Sequence, residues 1–393
     1  RKHAEDLLAS GAAYRCFCSK EAIDEIRKQA EEEESAPIAA YDGRCSKLSQ
    51  AEISAKLAAQ APHVIRQRID HTGSTRYQDV VYGEITISND QLDDQVLMKA
   101  DGFPTYNFAN VVDDHLMQIT HVLRGTEYLS STPKYILLYE AFGWQPPICV
   151  HLPLILGPSG KKLSKRDGSV SLSDFIDQGY LPAAIINYIA LLGWSPGDDS
   201  EFFTLSELCE RFDISRINKA AAIFDEVKLK HINSLHIKAL PPEAFHALAA
   251  KRYSQSMAAR FDTHKVSHLI QNRVEKLTDI SPLVAFLETM PFPYDRALFE
   301  HKKMKTSPET ARSVLEEIKP LLEGLGAWNV GALTECLNSY TTTKALKNGQ
   351  VLWPLRVALT GLPTSPGGAI EVADLLGKTE TMQRLNLSLG LLK

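Results

Sequence analysis

An α/β region followed by an all-α half is the fold class this chain predicts, and three observations carry it. Short runs of β-type composition recur between residues 63 and 125. The run VHLPLIL (150–156) is short and apolar, of the kind buried in a parallel sheet. From Asp167 onward the apolar residues recur almost entirely at helical spacing.

Taken in order, residues 1–34 read as helices, with SKEAIDEIRKQAEEEE opening on Ser19 as N-cap and Glu21 and Glu25 near its start. VIRQRI, VVYGEITI and QVLMKADGFPTY read as strands, the last with a Gly-Phe-Pro turn. A helix across PTYNFANVV would put Tyr106 and Asn110 one turn apart on one face, able to address one small polar ligand. ITHVLR is strand-like and ends on Arg124, toward the carboxyl edge where open α/β sheets bind ligands. STPKYILLYEAFGW carries its own helix signals, Thr132 before Pro133 at the start and Gly143 at the end. Beyond the basic loop, SLSDFIDQG, PAAIINYIALLGW, TLSELCERF, EVKLKHINSLH, SPETARSVLEEIKPLLEGL and GAIEVADLLGK all predict helices. Pro241–Pro242 and the Pro291/Pro293 pair are joints.

At 393 residues the chain exceeds one ordinary core, and two to four domains are expected. Apolar content of 44% and charged content of 23% are those of a globular protein. The longest apolar run, Pro182 to Trp194, is too short to span a bilayer and is interrupted by Asn187, so no membrane partner is expected. Six cysteines in this length make no disulfide framework and point to a reducing compartment, the cytoplasm or an organellar matrix. Net charge is −5, yet residues 211–305 hold 16 Lys and Arg against 10 Asp and Glu. A basic middle in an acidic chain hints at a polyanion track.

The basic loop GPSGKKLSKRDGS (157–169) follows the apolar strand directly. Four cations in six positions repel one another, which predicts a mobile segment. Its residues suit an anion: glycines let backbone approach a phosphate, lysines bring point charges, and Ser164 adds a hydroxyl.

FPTYNFANVVDDHLMQITHVLRGTEYLSSTPKYILLYEAFGW, followed by HLPLIL and KKLSKRDG, closely resembles bacterial-type glutamyl-tRNA synthetase, a class I aminoacyl-tRNA synthetase. KLSKR is similar to the family's second ATP signature, and WPLRVALTG resembles its anticodon-binding helical region. The resemblance covers essentially the whole chain. It implies the second half of a Rossmann catalytic domain with an acceptor-stem insertion, then stem-contact helices and an all-helical anticodon region. The boundaries expected are 1–105 for the insertion, 106–166 for the half-Rossmann domain, 167–240 for the stem-contact domain and 241–393 for the anticodon-binding domain. The family's first signature, a His-Ile-Gly-His type turn, occurs nowhere in these residues. The expectation is therefore a fragment beginning near the insertion and inactive by itself.

The family's activity, ATP-dependent ligation of L-glutamate to tRNA(Glu) through glutamyl-adenylate, assigns roles by resemblance. Lys162, Ser164, Lys165 and Arg166 would stabilise charge on the pyrophosphate, Lys165 foremost. Arg124 would bind one of the two glutamate carboxylates, with Tyr106 and Asn110 completing that pocket. Glu127, Ile155 and Lys165 would face ATP, supplied with Mg2+. Lys99 and Arg356 would contact tRNA, although Arg356 would equally serve to brace helices. Asp113, Asp114 and His115 are adjacent, point different ways, and read as structural. Cys16, Cys18, Tyr41 and Cys45 resemble the zinc site of some relatives' insertions, although Lys47 stands where many have histidine; the rival reading is three reduced thiols in a packed insertion. A monomer is expected.

Two relatives fit less well. Glutaminyl-tRNA synthetase has a β-barrel anticodon region, and the shorter queuosine-modifying relative lacks the helical region. From another class comes a non-catalytic tRNA-binding module, against which the intact KLSKR loop and Arg124 argue. Acceptance of tRNA(Gln) as well as tRNA(Glu) stays open.

Overall fold

The structure, a computed structural model, describes residues 1–32, 41–163 and 171–393. The chain divides into two compact units. One comprises Arg1–Lys162, Leu192–Asp198 and Arg211–Phe224; the other holds Leu163–Leu191, Asp199–Glu210 and Asp225–Lys393.

The first unit runs α1 (Lys2–Ser10), β1 (Ala13–Cys16), α2 (Lys20–Glu32), α3 (Gln50–Ala58), β2 (Val64–Gln67), β3 (Ser74–Asp79), β4 (Gly83–Ser88), β5 (Val96–Met98), α4 (Tyr106–Leu116), β6 (His121–Gly125), α5 (Thr132–Phe142), β7 (Ile148–Leu152), β8 (Ile155–Leu156) and β9 (Ala222–Ile223). Three sheets result, ordered β1-β2-β5, β4-β3-β7-β6 and β8-β9. Strand β7 is parallel to both β3 and β6, with Arg124 opposite His151 in the β6 register.

Helix α5 packs against two separate apolar clusters, one with the β1-β2-β5 sheet and one with the β4-β3-β7-β6 sheet. Buried Tyr135, Leu138 and Tyr139 pack with Leu97 and Met98 of β5, and with Phe108 and Val111 of α4. Ile136 turns the other way, toward Tyr77 of β3 and Cys149 of β7. A helix with apolar residues on opposite faces must be covered on both. It stops at Gly143, whose φ of +69° is left-handed and suits a residue without a β-carbon.

Four sequence expectations need correction. VHLPLIL divides at Pro153 into β7 and β8, which lie in different sheets, and QVLMKADGFPTY holds only the three-residue strand β5 before α4 begins. Residues 1–34 are not all helical: Ala13–Cys16 form β1 and pair antiparallel with Val64–Gln67. VVYGEITI is not one strand, since Val80–Tyr82 lie in the turn that joins β3 to β4. The preceding strand, STRYQD, is polar yet strictly alternating, with Thr75, Tyr77 and Asp79 buried.

The second unit contains α6 (Leu172–Asp177), α7 (Pro182–Gly193), α8 (Leu205–Arg211), α9 (Glu226–Ala239), α10 (Pro242–Ala249), α11 (Gln255–Arg260), α12 (Thr263–Ile270), α13 (Ile280–Glu288), α14 (Pro308–Glu323), α15 (Val330–Thr343), α16 (Asn348–Thr360) and α17 (Ala369–Leu391), with α7 and α8 each extending past its borders. Arg384 ties three of these together at 1% exposure. Its guanidinium donates to the carbonyls of Phe286, Leu287 and Leu359, near the ends of α13 and α16, and its Nε bonds Glu380 at 2.8 Å. Helix ends leave carbonyls unsatisfied, and here one buried cation serves three of them.

Candidate active site

Strand β6 ends at the carboxyl edge of its parallel pair with β7, and it delivers Arg124 into a pocket. The guanidinium carbon lies 5.0 Å from the ring centre of Tyr128 and 5.1 Å from that of Tyr135. Two aromatic faces hold a planar cation without neutralising it. Its Nη1 is buried and has no hydrogen-bond partner. Asn110 Oδ1 and the Tyr139 hydroxyl are buried and unpartnered too, and all three residues line this one pocket. Buried polar atoms are rarely left unpaired, and these three face one cavity of about 20 Å³, room for a water-sized group.

Asp114 also lines the pocket. Burial pushes its carboxyl above the usual range, Arg124 draws it back, and neighbouring Asp113 adds repulsion. The reading of this trio as divergent describes the geometry, since Asp113 is exposed and His115 stacks on Trp144 at 3.7 Å. Asp114, however, belongs to the pocket wall.

A buried polar chain supports this wall. Asp79 and His151 pair at 2.7 Å, and His151 Nε2 lies 3.1 Å from Thr132 Oγ1. Thr132 in turn donates to the carbonyl of Tyr128 at 2.9 Å. The ring that faces Arg124 is thus anchored through its own backbone. A lone histidine inside VHLPLIL was the available clue.

Other predicted residues distribute as follows. Tyr106 stands at the first turn of α4, 61% exposed, its ring 6.3 Å from that of Tyr128. Glu127 follows β6, and Lys162 Nζ reaches its Oε1 at 3.6 Å, so two residues expected at ATP meet at the surface. Ile155 lies in β8 against Ala222, and Lys162 bridges back to Leu156 across a turn in which Gly160 has φ +74°. Ser164, Lys165 and Arg166, and with them the expected mobility of the loop, fall outside the described residues.

Lys99 sits on a tight turn, 3.4 Å from Asp101 and 5.8 Å from the centre of the exposed Phe103 ring. In the second unit Arg356 lies 4.3 Å from the Trp353 ring centre and donates to the Pro363 carbonyl at 3.1 Å. Its Nε is buried without a partner. Burial, and then the nearby charge of Arg273, lowers its proton affinity.

Cys16, Cys18 and Cys45 converge, with all three sulfurs within 4.8 Å of one another. The Tyr41 hydroxyl lies 3.3 Å from the Cys16 sulfur and 3.7 Å from that of Cys18. Cys18 and Cys45 are 3.6 Å apart, too far for a disulfide. Three thiols around one point are a candidate metal site, with the Tyr41 hydroxyl, which also accepts the Cys45 N–H at 3.2 Å, beside them.

Residues 1–231 match the family described as tRNA synthetases class I (E and Q), catalytic domain, and residues 242–389 match an anticodon binding domain. The chain is 46% identical over 392 residues to the glutamate–tRNA ligase of Clostridium kluyveri, covering 100% of this chain and 80% of that protein. It is 48% identical to that of Clostridium botulinum strain Loch Maree, with the same coverage. Among solved structures, a glutamate tRNA ligase from Elizabethkingia meningosepticum in complex with its amino acid aligns with a TM-score of 0.86 at 32% identity. That alignment covers 100% of this chain and 82% of that one.

Proposed function

The chain belongs to the class I tRNA synthetases, among the glutamate–tRNA ligases, and on that premise we propose that the pocket around Arg124 is where glutamate is held. The family's activity is ATP-dependent joining of glutamate to tRNA. Relatives matched over the whole chain are ligases, which favours this reading over a tRNA-binding module without catalysis. The observation that carries the assignment of the pocket is the unpaired, ring-held Arg124 beside the unpaired Asn110 Oδ1. A carboxylate answers the first, because a guanidinium offers parallel donors where an ammonium is a point charge. A hydrogen-bond donor on the ligand answers the second.

In the proposed reaction a glutamate carboxylate oxygen attacks the α-phosphorus of ATP, which enters with Mg2+, and pyrophosphate leaves. A hydroxyl of the terminal tRNA adenosine then attacks the acyl carbon, and AMP leaves. Neither step needs a protein nucleophile, so the protein contributes orientation and charge. Lys162, Ser164, Lys165 and Arg166 are assigned to the departing pyrophosphate, and Glu127 and Ile155 to the ATP side. Tyr106, exposed and outside the lining of that pocket, is assigned to its rim, and Lys99 is assigned to tRNA near its acceptor end.

Arg356, with an unpartnered buried Nε and Arg273 nearby, is assigned to the anticodon, where splayed bases stack on planar groups. Cys16, Cys18, Tyr41 and Cys45 are assigned one structural zinc ion, which would clamp a small insertion with few apolar residues of its own. The functional unit is taken as one chain. Six free cysteines suit a reducing compartment, and among the described residues no helix is long and apolar enough to cross a membrane.

Charging assays on the full-length protein test this reading. Labelled glutamate should be transferred to tRNA(Glu) with release of AMP and pyrophosphate, while glutamine should not be transferred. Transfer of glutamine, or of neither, would refute it.

A further inference from the structure

The ring of Tyr135, one of the two faces against Arg124, is set by a hydrogen-bond circuit that the reaction itself does not require. The Tyr135 hydroxyl donates to Asn107 Oδ1 at 2.8 Å. Asn107 Nδ2 donates to Gln95 Oε1 at 3.2 Å, and Gln95 Nε2 to Gln67 Oε1 at 2.7 Å. Gln67 Nε2 then donates to the backbone carbonyl of Lys134, the residue before Tyr135, at 3.1 Å. The circuit therefore closes on the helix where it began. Gln67 and Gln95 are 2% and 5% exposed, so water does not compete for these bonds.

Its direction is imposed from one end. A backbone carbonyl can only accept, so Gln67 must present its amino group and receive on its oxygen. The same constraint passes through Gln95 and Asn107, leaving the Tyr135 hydroxyl one role, as donor to Asn107. Bonds that all run in one sense strengthen one another. The residues come from β2 (Gln67), the approach to β5 (Gln95), α4 (Asn107) and α5 (Tyr135), so the circuit fastens the three-stranded sheet to both helices that wall the pocket.

We propose that Gln95 and Asn107 are positioning residues for glutamate recognition, acting through Tyr135 on the orientation of Arg124. The circuit holds one ring at the guanidinium, while the Asp79–His151–Thr132 chain holds the other through Tyr128. Packing keeps the Tyr135 ring buried, so a cut link loosens its tilt rather than its place: Asn107 no longer offers a fixed acceptor, and Arg124 meets the carboxylate less often. The proposal rests on the reading that Arg124 binds a glutamate carboxylate.

The test is steady-state charging by the full-length protein, with KM measured separately for glutamate and ATP. Tyr135→Phe, Asn107→Leu and Gln95→Leu should each raise the glutamate KM about tenfold, the effect of leaving one buried partner unsatisfied. The ATP KM should stay unchanged. The double variant Tyr135→Phe/Asn107→Leu should be no worse than the more affected single, because both cut one circuit. A lowered Tm with both KM values unchanged, or moving together, would show the circuit to be structural only and overturn the proposal. Tyr135→Phe keeps the ring and is the arm to rely on should a Leu variant fail to fold. Arg124→Lys, run in parallel, separates the two ideas. If it leaves the glutamate KM unchanged, the pocket assignment has failed; if it raises that KM and Tyr135→Phe does not, the circuit alone has failed.

Discussion

Asp79 and His151, 72 residues apart in sequence, meet at 2.7 Å with side chains 0% and 1% exposed. The pair is fully engaged. Asp79 Oδ1 accepts the backbone N–H groups of Val81 and Tyr82, and Oδ2 accepts the His151 N–H as well as facing its ring. One aspartate thus shapes the β3–β4 turn and joins β3 to β7, where the ladder between those strands has a single paired position, Asp79 opposite Cys149. Asp79→Ala leaves the N–H groups of Val81, Tyr82 and His151 buried without their acceptor, whereas His151→Ala leaves Asp79 those three backbone donors. Asp79→Ala should cost about 3–5 kcal/mol and His151→Ala less, read from the denaturant midpoint. A cost below about 1 kcal/mol would show that the pair is not what holds these strands together.

Cys149 lies beside that pair and gives a pH-dependent readout. Burial pushes its thiol up to about 11, with the charge of Asp79 adding to the rise and Arg124 opposing it. A raised thiol contributes stability below its unfolded pKa and loses that contribution as pH climbs through about 11. In the folded protein, alkylation of Cys149 should be negligible at pH 8 and increase toward pH 11, while exposed Cys209 is modified readily. Equal labelling of both at pH 8, read by peptide mass spectrometry, would contradict this environment.

The cysteine cluster makes a stoichiometric prediction. Protein purified without chelator should carry about one zinc per chain, and Cys45→Ser should lose it together with several degrees of Tm. Metal-free protein of unchanged Tm would leave three reduced thiols in a packed insertion.

Arg356 should separate anticodon from backbone recognition. Arg356→Ala should weaken binding of cognate tRNA by roughly 5- to 100-fold and shrink its advantage over an anticodon mutant, with little change in the salt slope. Equal weakening for both tRNAs with a lowered Tm would show that Arg356 only braces α16, through Trp353 and Pro363.

Local signals carried much of this fold. Pro133 and Gly143 bounded α5 to within a residue, whereas only the first half of VHLPLIL is the buried parallel strand expected, because β8 pairs in another sheet and leaves Ile155 exposed. β3 escaped notice because its inward residues include Thr75 and Asp79, polar groups whose burial depends on distant partners. The site was legible in part. Asn110 and Arg124 were expected together and share a pocket, whereas Tyr128, Tyr135 and Tyr139 gave no local sign of facing them. Their roles arise from tertiary placement, through contacts as remote as Gln67 to Lys134. Arg384 likewise reads as one more surface-helix cation, and only packing shows it serving three carbonyls.

Whether Arg124 holds a carboxylate of glutamate is decided by the substrate kinetics of Arg124→Gln in the full-length protein. Truncating one partner of a buried charge pair should raise the glutamate KM by roughly 30-fold or more. The ATP KM and tRNA affinity should stay unchanged. An unchanged glutamate KM, or equal losses toward glutamate and ATP, would show that Arg124 does not hold the carboxylate.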